Sequence, residues 1–410
     1  MTTALERVPG IVTPDVSDAA LAAVTAEVAA TAAEYDRTGE IPVAGLAAAH
    51  RAGLLTATVG RQFGGPAVSL LDAVRILVAL GEGDPSVALI AANNLAVHRG
   101  QAVAEHWPVA FYRDLLQRGV DAPALANAVR AEPELGAPAR GGLPATVARR
   151  TTGGWSLSGH KAYATGGAAL AYHVVWAVAE EQSRPDKSGR PRVGHVVVPA
   201  DAPGITWLDT WDHLGLRASN THDVVYDEVP VPLDAFVEIP YVSQEGVQGG
   251  VYRDPAAETG IAGFGHVALY VGVARAARAA FVRYAQERVP AVLGRPIATT
   301  ERIQTVAGEI DAQIATAETI LHGALLRASP HDGRAGDTGH IGQLSVLKVQ
   351  VARAAVTAVQ TAVAALGNPG LTRHLPFERH LRDVLCVRVH PPQEDAALRA
   401  AGQRLLAVPR

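Results

Sequence analysis

A chain of 410 residues, 48% of them hydrophobic and 19% charged, is long enough to bury a large core and to divide into two or three domains. Its net charge of −4 gives no electrostatic footprint for nucleic acid, and its single cysteine, Cys386, excludes an internal disulfide and any cysteine-based metal centre. No uncharged apolar run has membrane-spanning character, and Met1-Thr-Thr-Ala-Leu-Glu-Arg7 lacks the pattern of a secretory leader, so the sequence predicts a cytoplasmic globular protein.

From 17 to 116, apolar residues recur at three- and four-residue spacing, as in Leu71-Asp-Ala-Val-Arg-Ile-Leu-Val-Ala-Leu80, which predicts packed amphipathic helices. Between 121 and 238 the runs become short and alternating. Ala145-Thr-Val-Ala-Arg-Arg150, Gly154-Trp-Ser-Leu-Ser-Gly159, His173-Val-Val-Trp-Ala-Val178, Gly194-His-Val-Val-Val-Pro199 and His222-Asp-Val-Val-Tyr-Asp-Glu-Val229 predict the strands of a small barrel. Residues 184–192 read as an exposed hairpin loop. After a glycine-rich junction at 246–263, helical spacing returns over 266–288, 298–326, 343–366 and 377–386. The predicted fold class is α+β, with an N-terminal helical domain (1–120), a β-barrel domain (121–240) and a C-terminal four-helix bundle (241–410). Helices and strands come in blocks without βαβ alternation, which argues against a dinucleotide-binding parallel sheet.

Four segments carry a resemblance. They are Trp155-Ser-Leu-Ser-Gly-His-Lys161-Ala-Tyr163-Ala-Thr165-Gly166-Gly167; Leu214-Gly-Leu-Arg217-Ala-Ser219; Glu287-Arg288 on one helix with Gln304 on the next; and Gly367-Asn-Pro-Gly370 leading to Pro376-Phe-Glu-Arg379-His-Leu-Arg382-Asp383. In this order and spacing the chain resembles the acyl-CoA dehydrogenase superfamily over essentially its whole length. The resemblance implies a flavin site. Tyr163 would form an aromatic wall, Thr165 would donate to flavin N5, Arg288 and Gln304 would reach the pyrophosphate in a neighbouring subunit, and Gly367 and Gly370 would form the adjoining turn. It also implies FAD, with FMN possible, and a homo-oligomer, a tetramer being preferred over a dimer. The Ala- and Val-rich helix at 349–366 is expected to offer apolar surface for that assembly. The residue chemistry agrees, because isoalloxazine needs an aromatic wall and donors, and a guanidinium pairs bidentately with phosphate. The bland alternative is that an aromatic residue and a threonine on a strand pack, and that an arginine at a helix end is solvated.

The departures from the pattern direct the functional reading. Pro391 falls where most acyl-CoA dehydrogenases carry the glutamate that removes the substrate α-proton, and Gly263 falls at the alternative base position nine residues before Gly272. Loss of a positioned base forfeits roughly 10²–10⁴-fold in rate. The segment Glu378-Arg-His-Leu-Arg382-Asp-Val-Leu-Cys-Val-Arg-Val-His390-Pro391 is similar instead to that of two-component flavin monooxygenases, a branch that includes S-oxygenases and N-hydroxylases. That likeness places His390 on the branch's active-site histidine and Asn127 on its asparagine, with His98 as a candidate second histidine. A lone histidine at the end of an apolar helical turn is more commonly a partner of the helix dipole. Ala131 and Ala364 stand where flavin-contacting residues are common, and Glu134 and Arg140 add charge to the loop after Ala131. No metal site is expected, since His374, His380 and His390 are too widely spaced. The preferred reading is a monooxygenase that uses reduced flavin from a separate NAD(P)H:flavin reductase, and dioxygen, on a small organic substrate. The alternatives are an acyl-CoA dehydrogenase with an atypical site and a non-catalytic homologue.

Overall fold

The computed structural model describes residues 7–104, 107–135, 142–180, 190–242, 251–252, 261–328 and 341–406. Five helices come first: α1 (Asp18–Thr38), α2 (Val43–Arg51), α3 (Leu70–Gly83), α4 (Pro85–Val103) and α5 (Val109–Asp121). Their starts follow capping chemistry. The Ser17 and Ser69 side chains accept from the amides of Ala20 and Asp72, and Asp84 accepts from Ser86 with Pro85 in the first turn of α4.

The strands of the main sheet are β1 (Leu125–Val129), β2 (Val147–Arg150), β3 (Trp155–Ala164), β4 (Leu170–Glu180), β5 (Arg192–Pro199), β6 (Ile205–Leu208), β7 (His222–Val231) and β8 (Phe236–Glu238). They form one sheet in the order β6-β7-β3-β2-β4-β5-β8, with β1 added beside β4. Both β1 and β2 pair with β4 in parallel, in tandem along one edge. The sheet curls until Trp155 on β3 lies 5.0 Å from Phe236 on β8 and donates its indole N–H to Leu233 O at 3.0 Å. It is a barrel closed by side chains, with β6 and β8 left at the ends of the hydrogen-bonded path. Strands β4 and β5 form an antiparallel pair up to Ala179 and Arg192, which makes the expected hairpin. Residues 181–189 of its loop lie outside the described residues, as do Arg140 and most of the glycine-rich junction.

The remaining helices are α6 (His266–Glu287), α7 (Glu301–Ala328), α8 (Ile341–Leu366), the short α9 (Asn368–Leu371), α10 (Phe377–Leu385) and α11 (Glu394–Leu405). Helices α6, α7 and α8 pack on one another, and α10 completes the bundle against α6 and α8. By length and composition Leu344–Leu366 of α8 could cross a membrane, but in this fold it is a bundle helix. Its Val349, Val351, Ala355, Val356, Val359 and Val363 are buried within the protomer, and the stripe it exposes is Gln350, Arg353, Thr357, Gln360 and Ala364. The expectation that this helix offers an apolar face to another subunit is therefore corrected: its apolar side is already covered.

One hydrophobic core runs through both helical domains, from Leu77 and Leu80 of α3 to Tyr270 of α6, Val359 of α8 and Val384 of α10. Helices α3 and α6 cross backbone to backbone, because a Cβ at Gly81 would lie 2.2 Å from Leu269 O and one at Gly272 would lie 2.2 Å from Val78 O. The sheet is tied on by two neighbouring residues of α10. Arg382 reaches Asp36 of α1 at 3.0 and 2.6 Å, Glu378 at 2.7 and 3.1 Å, and the carbonyl of Leu214 at 2.9 Å. Asp383 accepts the amide of Leu216 at 2.8 Å.

Burial raises the Asp383 carboxyl to about 7 from an ordinary 3.8, with Asp36 adding to the rise against the bond from Leu216 and the cations Arg379 and Arg382. A carboxyl whose folded pKa is raised supports the fold fully below its unfolded pKa and loses that support as pH rises through the folded value. Asp383→Asn keeps an acceptor oxygen and cannot titrate. The stability of wild type relative to this variant is expected to increase as pH falls from about 7 to about 4, by at most about 1.4 kcal/mol per pH unit. Denaturant midpoints of the two proteins across that range check it, and a constant difference would contradict it.

Candidate active site

His390 lies in the turn between α10 and α11 and is half-buried. Its Nδ1 is 2.8 Å from the hydroxyl of Tyr270, and its ring stacks on His266 at a centroid distance of 5.1 Å and an interplanar angle of 26°. Tyr270 and His266 are four residues apart on α6, so both project from one face of that helix toward the turn. Lys348 of α8, 4% exposed, donates its ammonium to the carbonyls of His390 and of Pro392, the latter at 2.9 Å. Desolvation, His266 and Lys348 together hold the His390 imidazole well below its ordinary range, so it is neutral near pH 7. Burial lowers Lys348 to about 8.

Two neighbouring asparagines of α4 contact this pair and the sheet respectively. The Nε2 of His266 lies 3.0 Å from Asn93 Oδ1 on α4. The next residue, Asn94, is fully buried; its side chain donates to Leu55 O at 2.8 Å and accepts the amide of Ala126 at 2.9 Å, which seats β1 on α4. Beside Ala126, Asn127 donates to the carbonyl of Thr165 at 2.9 Å. The Thr165 hydroxyl accepts from Thr221 at 3.1 Å, and Thr221 shares a 2.7 Å bond with Ser219. A chain of hydroxyls with this polarity leaves the Thr165 proton directed away from Thr221.

Tyr163 stands two residues before Thr165. The Thr165 amide donates to Tyr163 O at 3.0 Å, closing a tight turn around Ala164, and Tyr163 itself has φ 59°, an uncommon conformation for a bulky residue. The turn presents its ring outward, 57% exposed, in edge contact with His213, which stacks on Trp211 at 3.7 Å. An outward aromatic ring beside a hydroxyl with a proton to spare suits the edge and face of an isoalloxazine.

Other expected residues are placed differently. His98 is correctly on α4 but does not belong to the cluster. It is five positions beyond Asn93, about 140° around the helix. It is 1% exposed in an aromatic core with Tyr112, whose hydroxyl is 3.1 Å from its Nδ1, and burial lowers it to about 4. Asn127 donates its side-chain N–H to the backbone carbonyl of Thr165. Arg288 ends α6 and Gln304 opens α7, both exposed at the same end of the bundle, where Gln304 donates to Ala298 O at 3.1 Å. Gly367 has φ 64°, and a Cβ at Gly370 would come 2.4 Å from Val363 O, so both glycines serve the turn after α8. Glu134 is exposed. Glu132 of the same loop is buried: Lys161, itself 0% exposed, donates to it at 2.7 Å, and Ala145 and Thr146 add three more donors. A Cβ at Gly263 would meet nothing within 4 Å, so the fold leaves room for a side chain that the sequence omits. No group of three or more His, Cys, Asp or Glu able to hold a metal occurs among the described residues. His266, Tyr270, Asn93 and Lys348 were not singled out from the sequence; the adjacent asparagines on an apolar helix were the one available signal.

Models of the acyl-CoA dehydrogenase N-terminal, middle and C-terminal domains match residues 15–105, 128–229 and 264–392 in chain order. L-evernosamine nitrososynthase of Micromonospora is 31% identical over 380 residues, covering 89% of this chain and 83% of that protein. The chain belongs to the acyl-CoA dehydrogenase family. The putative acyl-CoA dehydrogenase YdbM of Bacillus subtilis is 29% identical over 374 residues, covering 90% of this chain and 91% of that one. Among solved structures, KijD3 in complex with FMN and dTDP-3-amino-2,3,6-trideoxy-4-keto-3-methyl-D-glucose superposes with a TM-score of 0.77 at 26% identity, covering 98% of this chain and 97% of that chain.

The α4 to β1 link is open to direct test. Asn94→Ala is expected to destabilise the protein by about 1–3 kcal/mol for each polar group it orphans. Hydrogen exchange at the Ala126 amide should accelerate in the same variant, and unchanged exchange there would dissociate Asn94 from β1.

Proposed function

We propose that this protein is a flavin-dependent oxygenase that takes reduced flavin from a separate NAD(P)H-dependent reductase and oxidises a small amine-bearing substrate. The observation that carries the reading is the replacement of the base. Pro391 and Gly263 occupy both positions where the family resemblance puts the carboxylate, and His390, the residue before Pro391, is in contact with Tyr270 and His266. A neutral imidazole is a poor base for a thioester α-carbon and a suitable partner for an oxygen atom. The nitrososynthase relatives support an amine as the group oxidised, and the FMN and dTDP-sugar of KijD3 support trying either flavin and an amino sugar nucleotide first.

When bound, the flavin would supply the two electrons and the activation of dioxygen. Thr165 would donate its hydroxyl proton at the flavin edge, held in orientation by Thr221 and Ser219. Tyr163 would cover the ring and shed water from it. His390 would offer a hydrogen bond to the reacting oxygen while remaining uncharged, because any proton it took up would be buried beside the Lys348 ammonium.

The second reading, an acyl-CoA dehydrogenase with an atypical site, is supported by the likeness to YdbM. The two part on one pair of assays. Acyl-CoA thioesters mixed anaerobically with flavin-loaded protein are expected to leave the flavin oxidised, while amino sugar nucleotides should consume oxygen only when NADH and a flavin reductase are present. Rapid anaerobic bleaching by an acyl-CoA would overturn the oxygenase reading.

The same reading includes a homo-oligomer, a tetramer by preference, in which Arg288 and Gln304 reach the flavin of a neighbouring subunit. Near Arg288 in the chain Val282, Val289 and Val292 are exposed, apolar side chains that a partner subunit could cover. Light scattering at micromolar concentration should give a multiple of 42.7 kDa, and the mass of a single chain would refute the assembly.

A further inference from the structure

The contact between Tyr270 and His390 determines which nitrogen of His390 carries its proton. Tyr270 is 0% exposed, and among the described residues its hydroxyl meets no hydrogen-bond partner except His390 Nδ1 at 2.8 Å. A phenol has one proton to donate. If Nδ1 carried hydrogen it would donate to the phenol oxygen, and the buried phenol O–H would be left without an acceptor, an arrangement that costs a desolvation penalty. The phenol therefore donates, Nδ1 accepts, and the ring proton sits on Nε2. In an imidazolium Nδ1 would again carry hydrogen and leave the buried phenol O–H without an acceptor, so the same contact opposes protonation of His390. The charged and titratable groups around the ring act in the same sense: His266 stacked on it, and Lys348 at its carbonyl. Behind Tyr270 lie Asp383, committed to the Leu216 amide, and Cys386, whose thiol donates to Arg382 O at 3.5 Å.

We propose that Tyr270 is the positioning residue that fixes His390 as its Nε2–H tautomer, so that His390 presents a hydrogen-bond donor to the substrate or oxygen and not a lone pair that could take a proton. The catalytic consequence rests on the oxygenase reading. The tautomer does not, since it belongs to the protein alone.

Solid-state 15N spectra of histidine-labelled protein without flavin distinguish the two ring nitrogens of each tautomer, and the His390 signals are identified by their loss in His390→Ala. In wild type the expected pattern is a protonated Nε2 and an unprotonated Nδ1, unchanged from pH 6 to 8.5. In Tyr270→Phe the pattern should become mixed or reverse, and the ring should begin to take up a second proton within that range. An Nδ1–H pattern in wild type overturns the proposal whether or not the variant folds, as does a pure Nε2–H pattern that persists unchanged in a folded Tyr270→Phe. If wild type shows Nε2–H, the variant loses it and no oxygen uptake occurs with any amine, the oxygenase reading fails and the tautomer assignment stands.

Discussion

The structure depends on Arg382 and Asp383, two consecutive residues that hold three domains in register. Their helix belongs to the C-terminal bundle, yet one side chain grips Asp36 of α1 and the carbonyl of Leu214, while the other receives the amide of Leu216. Gly215, between those two backbone groups, lies so close to α10 that a Cβ would fall 2.5 Å from Arg382 O. The Arg382 and Asp36 side chains are each 17% exposed. An ion pair so shielded is worth little against an apolar substitute, but losing one partner strands the other, commonly at about 3–5 kcal/mol. The pair thus acts as a register device: it fixes where the sheet domain sits relative to a helical core that the other two domains already share.

That placement gives the candidate site its geometry. The groups of the proposed site lie far apart in the chain, with Thr165 on the turn after β3 and His390 beyond α10, so the seating of the sheet on the bundle sets the distance between them. Asn93 and Asn94 supply the second tether, the first bonded toward the histidine pair and the second to β1. Polar side chains buried at such a helix face are specific because each has few ways to be satisfied. The same economy appears in the imidazoles. His98, His173 and His380 are buried and held neutral by desolvation, to about 4, 4 and 3, yet none of these three lies in the turn beside Pro391, where the half-buried His390 sits. A depressed histidine pKa is by itself no mark of function in this protein.

The block architecture was legible because its periodicities are strong: the four C-terminal helices fall within a few residues of their predicted spans. β1 was not, since Leu-Ala-Asn-Ala-Val has little strand character of its own and becomes a strand by pairing with β4. β6 and β8, at four and three residues, are too short to show alternation. Tyr163, Thr165 and His390 were singled out as candidates through motif order. The residues that orient them were not. Tyr270 and His266 sit in an apolar helix where a tyrosine reads as core, and what distinguishes them is a tertiary contact across 120 positions of chain. The motif at 214–219 was recognised as a family mark, but the physical reason for it, reception by Asp383 and Arg382, exists only in three dimensions.

Lys161 and Lys348 carry a consequence for chemical probing. The chain has three lysines, and two of them are buried, one against Glu132 and the other against the carbonyls of the His390 turn. Acylation requires a free, accessible amine, and both ammonium groups are committed as donors inside the fold. An amine-directed reagent therefore becomes a reporter with almost no background: its arrival at Lys348 would register the opening of the turn that holds His390, and its arrival at Lys161 the parting of β3 from the Glu132 loop, each as a discrete mass increment on a separate peptide.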